Sequence, residues 1–169
     1  MKHPKNLFLI GPMGAGKSAV GRQLARLTHL DFVDSDEEIE SRTGVDIPFI
    51  FEKEGEEGFR KRECKVIDEL SSREGIVMAT GGGAVIDVDS RSRLGARGFV
   101  VYLYTSVKQQ LDRTQRGRNR PMLENGDKEK VLEELMEQRD PMYREIADLI
   151  VETDGRKVQT VAREIHEAL

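Results

Sequence analysis

One cysteine in 169 residues, Cys64, leaves no internal disulfide to staple the fold, and it is read as a small packing residue rather than a nucleophile. Long apolar runs are missing too. The opening Met1-Lys2-His3-Pro4-Lys5-Asn6 leads only into Leu7 to Ile10, too short for a signal peptide. Proline is scarce at 5 residues, glycine stands at 16, and 37% hydrophobic with 34% charged residues excludes disordered, collagenous and membrane-spanning classes. Neither sign of charge dominates: 27 Lys+Arg against 31 Asp+Glu give −4, which excludes long-range steering toward nucleic acid or an anionic bilayer. The three histidines, His3, His29 and His166, have no metal-ligand spacing to each other or to Cys64, which argues against a zinc site. A cytoplasmic protein with no nucleic-acid or membrane partner is expected.

What is present is alternation. Short apolar runs at Leu7 to Ile10, Phe32-Val33, Ile76 to Ala79 and Phe99 to Leu103, with a weaker one at Leu149-Ile150-Val151, read as strands. The third and fourth lack polar alternation, as expected of parallel strands covered on both faces. Helical spacing lies between them, as in Val20, Leu24 and Leu27, or Phe59, Val66, Ile67 and Leu70. Repeated β-α order predicts a three-layer α/β fold with a parallel sheet and right-handed crossovers. Residues 1–169 read as one domain without repeats or linkers. The stretch 113–126 is polar, arginine-rich and contains two glycines and a proline; it reads as an exposed, mobile loop.

The strongest local signal is Gly11-Pro12-Met13-Gly14-Ala15-Gly16-Lys17-Ser18, a G-x-x-x-x-G-K-[ST] phosphate loop between an apolar strand and an amphipathic helix. Glycines let backbone N–H groups turn inward around phosphate oxygens, and the helix N-terminus adds partial positive charge. Lys17 is suited to the β and γ phosphates, and Ser18 to Mg²⁺. Ala19 replaces the threonine often found there, removing one side-chain contact to the α-phosphate. The guanine-specifying Asn-Lys-x-Asp pattern is absent. Asp34, after Phe32-Val33, is the candidate acidic partner of the metal, direct or through water.

Three further features admit two readings each. Asp36 either serves the site or merely favours a helix dipole beside a Ser35/Glu38 capping box. Gly81-Gly82-Gly83 is either a loose turn or a strand end that lets a small ligand touch backbone, where open α/β sheets bind ligands. Arg60 is either a surface charge within the run from Glu52 to Glu63 or part of the site, and Glu63, one helical turn on, is placed to orient its guanidinium or to touch substrate.

Taken in order, the phosphate loop, Asp34-Ser35-Asp36, Phe59-Arg60-Lys61-Arg62-Glu63, Gly81-Gly82-Gly83, Arg120-Pro121-Met122-Leu123 and Arg139-Asp140-Pro141-Met142-Tyr143 resemble the shikimate kinase family over essentially the whole chain. Met122 stands where that family commonly has leucine, a volume-conserving change. The resemblance implies a P-loop kinase fold with a five-stranded parallel sheet, helices on both faces and a mobile lid at about 113–126. It implies ATP-dependent phosphorylation of the shikimate 3-hydroxyl to shikimate 3-phosphate and ADP, a step of aromatic amino-acid biosynthesis, in a monomer using Mg²⁺. Carried onto this chain, ATP falls to Gly14, Ala15, Gly16, Lys17, Ser18, Ala19 and Arg120, with Arg113 and Arg156 at the adenine; Mg²⁺ falls to Ser18 and Asp34. Shikimate falls to Asp36, Arg60, Glu63, Gly81, Gly82, Gly83 and Arg139, and catalysis to Lys17, Asp36 and Arg120. Arg116 and Arg118 are read as solvated loop charges. Another P-loop small-molecule kinase, acting on gluconate or a nucleotide, and a non-catalytic ATP-binding regulator are the alternatives.

Overall fold

The computed structural model describes residues 4–116 and 125–169. Strands β1 (Leu7–Ile10), β2 (Asp31–Asp34), β3 (Ile76–Ala79), β4 (Phe99–Tyr104) and β5 (Leu149–Glu152) form one sheet in the order β2-β3-β1-β4-β5. All four pairings are parallel. The helices are α1 (Lys17–Thr28), α2 (Ser35–Thr43), α3 (Ile47–Ser71), α4 (Val88–Arg97), α5 (Val107–Arg116), α6 (Asn125–Ile146) and α7 (Val158–Ala168). Every strand expected from the apolar runs is present, including the weak one at Leu149.

The sheet is apolar on both faces because strand side chains alternate between them. On β1, Leu7 and Leu9 pack with α1 and α7 through Leu24, Val161 and Ile165. Phe8 and Ile10 face the opposite way, against Phe59 and Ile67 of α3, Leu94 of α4 and Tyr143 of α6. This two-sided burial explains why β1 and β3 carry no polar residue.

Strand order reverses at β1, whose neighbours β3 and β4 lead off in opposite directions. A crevice therefore opens at the C-terminal ends of the central strands, the usual ligand position in such sheets. The phosphate loop follows β1, Asp36 follows β2, and the triglycine follows β3.

Two local expectations are corrected. The stretch 113–126 is not one loop: residues 113–116 complete α5, whose sequence has no glycine or proline before Gly117, and α6 already begins at Asn125. Residues 117–124, which contain Arg118, Arg120 and the Pro121-Met122-Leu123 segment, lie outside the described residues. The Ser35/Glu38 capping box does not form. Asp34 caps α2 instead, accepting from the backbone N–H groups of Asp36 and Glu37 at 2.9 and 3.1 Å, and Ser35 is already helical.

Candidate active site

The phosphate loop enters α1 through Gly16, whose φ of 83° is a left-handed conformation that glycine adopts without steric cost. The Lys17 ammonium group folds back onto the loop and donates to the carbonyl oxygens of Gly11 at 2.6 Å and Pro12 at 2.8 Å. Burial lowers its pKa to about 8, against the opposing pull of Asp36 and Asp34. Ser18 donates its hydroxyl to Asp34 Oδ2 at 2.6 Å. Asp34 thus spends one oxygen on capping α2 and the other on the first turn of α1. Two hard oxygen donors of opposite elements meet at the floor of the crevice.

That crevice has a volume of ≈ 580 Å³ and is bordered by Gly14, Lys17, Ser18, Asp34, Asp36 and Gly82, among others. Across it from the phosphate loop, close packing around the triglycine assembles a second cluster. A Cβ at Gly81 would stand 2.8 Å from Asp36 Oδ1 and 3.2 Å from Glu63 Oε2, so only a residue without a side chain lets both carboxylates approach. A Cβ at Gly83 would come within 2.6 Å of Arg60 Cζ. Arg60 donates to Glu63 Oε1 at 2.8 Å, one helical turn along α3, and lies over the Phe59 ring. The Arg139 guanidinium reaches the same turn from α6, 3.6 Å from where a Gly82 Cβ would be.

The electrostatics of this cluster are poised. Burial, then the neighbouring Asp34 charge, pushes the Asp36 carboxyl up to about 6, with Lys17 pulling the other way. Glu63, whose side chain is only 3% exposed, is pushed up by burial and held back by Arg60. Asp36 Oδ1 and Glu63 Oε2 are buried without a hydrogen-bond partner among the described residues. Unsatisfied buried acceptors beside two guanidinium groups suit a small molecule that brings hydroxyl protons and a carboxylate.

A family model for shikimate kinase matches residues 13–169. The chain belongs to the shikimate kinase family. Among its relatives, the shikimate kinase of Halorhodospira halophila is 60% identical over 98% of this chain and 94% of its own length. That of Shewanella frigidimarina is 57% identical over 100% and 99%. In three dimensions, the shikimate kinase of Acinetobacter baumannii in complex with shikimate superposes with a TM-score of 0.91 at 51% identity, covering 97% of this chain and 92% of that one. The P-loop kinase fold implied by the six motifs is therefore the observed one.

Of the residues singled out in the sequence, the fold brings Gly14, Ala15, Gly16, Lys17, Ser18 and Ala19 to one wall of the crevice or just beneath it, and Asp36, Glu63, Arg60, Arg139 and the triglycine to the other. Arg113, on α5, donates to the Gly14 carbonyl and so lies on the phosphate loop. Arg156 is not among the crevice residues; it donates to the Glu152 carbonyl at 2.9 Å and pairs with Glu164 on the β5-α7 turn. Arg120 lies outside the described residues. Cys64 sits half-buried on α3 with its thiol pushed up by burial, in keeping with packing.

Other residues at the site carry little signal in the sequence. Ile47 borders the crevice because Glu40 on α2 accepts from its backbone N–H at 3.0 Å, closing the elbow between α2 and α3. Thr80 directly follows β3 and donates to the Leu9 carbonyl at 2.9 Å, tying the triglycine to β1. Its position directly before three glycines is the one cue available.

Proposed function

We propose that the chain transfers the γ-phosphoryl group of ATP to the 3-hydroxyl of shikimate. The observation that carries this reading is the convergence, on the far side of a phosphate-loop crevice, of two buried carboxylates and two arginines around a side-chain-free turn. Shikimate has one carboxylate and three hydroxyls. Arginine forks suit the first bidentately, and short carboxylates accept protons from the others.

The phosphate wall holds the nucleotide through backbone N–H groups of the loop and the N-terminus of α1, with Lys17 as the mobile charge. Phosphates draw the Lys17 ammonium off the Gly11 and Pro12 carbonyls. Arg113 contributes a second cation on the loop. Ser18 and Asp34 fit Mg²⁺, a hard ion that prefers oxygen and is commonly bound by one or two protein ligands plus substrate phosphates. Among the described residues no group of three or more His, Cys, Asp or Glu is placed to hold a metal ion by itself. An ion held by Ser18 and Asp34 would supply charge neutralisation to the nucleotide phosphates.

Asp36 lies between the two walls. It orients the attacking hydroxyl and, with its pKa raised to about 6, is matched to take up the proton near neutral pH. A loose transition state needs little early deprotonation, so the positioning of this hydroxyl against the phosphoryl group is the larger contribution. Arg60, oriented by Glu63, and Arg139 clamp the acceptor carboxylate. Arg120 is assigned to the transferring phosphates on the strength of the motif alone.

The family membership does not favour gluconate or nucleotide acceptors. A coupled ADP-release assay offering shikimate, gluconate and nucleoside monophosphates in turn tests the reading. Turnover is expected with shikimate alone, and turnover with either of the others at a comparable rate contradicts it.

A further inference from the structure

Helix α6 meets the triglycine turn through one hydroxyl. Tyr143 is 1% exposed and donates to the Gly82 carbonyl at 2.6 Å, while its ring packs on Tyr102 with centroids 4.8 Å apart. Gly82 is also where the two walls of the crevice touch. A Cβ there would stand 3.5 Å from the Met13 backbone N of the phosphate loop, 3.6 Å from Arg139 Nη1 and 3.7 Å from the Gly11 carbonyl oxygen.

Arg139 and Tyr143 are four residues apart and so share one face of α6. Between them stands Pro141, which has no N–H to bond back along the helix and weakens this turn. The helix alone therefore does not secure the register of Arg139. Side chains do so: Tyr102 on β4 donates to Asp140 Oδ1 at 2.7 Å, and Arg144 donates to Asp140 Oδ2 at 2.8 Å. The first bond fastens α6 to the sheet, and the second ties Asp140 to the next turn of α6 itself. From this same turn of α6, Arg139 and the Tyr143 hydroxyl both reach the triglycine turn at the crevice.

We infer that Tyr143 is a positioning residue for the acceptor: its hydroxyl fixes the Gly82 peptide against the phosphate loop and holds the triglycine turn in register with Arg139. This rests on the functional reading above. Burial pushes the phenol up to about 12, so the hydroxyl remains a donor across the working pH range. The bond is made to backbone, so no substitution at Gly82 replaces it.

The test compares Tyr143→Phe with Tyr102→Phe, each of which keeps the ring and removes one buried hydroxyl. Tyr143→Phe is expected to raise the KM for shikimate by about tenfold, the scale of one lost hydrogen bond that leaves a buried acceptor unpaired, with the KM for ATP unchanged and kcat within about twofold. Tyr102→Phe is expected to lower the melting temperature without that split. Hydrogen exchange at the Gly83 amide, which shares its peptide unit with the Gly82 carbonyl, provides a readout independent of turnover; it should accelerate in Tyr143→Phe and not in Tyr102→Phe. Wild-type turnover of shikimate with an unchanged or evenly divided KM effect in Tyr143→Phe overturns the positioning role alone, as does unaltered Gly83 exchange. A wild-type protein inert toward shikimate overturns the functional reading and this inference with it.

Discussion

Asp36 and Lys17 are held in states that cost the free protein something. The Asp36 carboxyl titrates at about 6 in the folded chain against 3.8 for the unperturbed group, so the folded state holds its proton more tightly. Stability is therefore lost as pH rises from about 4 through about 6 and remains lost above. Asp36→Asn removes that cost and should stabilise the protein by about 1 to 3 kcal/mol near pH 7.5, with the gain vanishing below about pH 4. The same variant should lose about 10² to 10⁴ in turnover, because a positioned base contributes on that scale. Urea denaturation at the two pH values, set beside a rate measurement, checks both; a variant that is less stable and nearly fully active assigns Asp36 to structure. Wild-type kcat/KM should likewise fall as pH drops through about 6.

Lys17 gives the opposite sign. Its ammonium group titrates at about 8, so part of it is neutral in the free protein just above that value. Bound phosphates restore the charge, and ATP binding near pH 8.5 should take up a fraction of a proton that binding near pH 6.5 does not. Titration calorimetry in two buffers of different ionisation enthalpy measures this uptake; identical heats in both at the higher pH contradict it.

Among the elements, the strands were the most legible, because Ile76 to Ala79 and Phe99 to Leu103 are apolar throughout and the sheet buries them on both faces. The phosphate loop was equally legible, since its chemistry is local: eight consecutive residues carry both the backbone shape and the cation. Arg60 and Glu63 are a helical turn apart, and that spacing anticipated their 2.8 Å contact. Asp34 was harder. Its capping of α2 competes with Ser35 for the same role, and only the fold reveals that one carboxylate serves both α1 and α2. Tyr143 and Gly82 are 61 residues apart, and no local pattern announces a contact between them.

Helix α3 shows a further limit of periodicity. Gly55, at φ 71° and ψ 179°, breaks its backbone within an otherwise continuous helical stretch, and Ile47 reaches the crevice from the segment before that break. A Cβ at Gly55 would meet nothing within 4 Å, so the cost of Gly55→Ala is purely conformational. Residues forced into such regions cost about 1 to 3 kcal/mol, and the variant should lose that much stability in a urea melt. No loss would mean that the two halves of α3 run together without penalty.

At the scale of the whole molecule, the sheet divides the labour. Strand β1, at the reversal of strand order, delivers the phosphate loop, while the ends of β2 and β3 deliver Asp36 and the triglycine, and α3 and α6 bring Arg60 and Arg139 in from the face opposite α1. On the proposed function, nucleotide and acceptor would be held by different layers that meet at Asp36. The separation is most directly tested by titrating each ligand alone into Arg60→Lys and Arg139→Lys, which keep the charge and lose the planar fork. Shikimate affinity should fall by about 1 to 3 kcal/mol, the scale of a hydrogen bond to a charged group, while ATP affinity stays within about twofold. Equal losses for both ligands, or a loss for ATP alone, would contradict the division of the crevice into two walls.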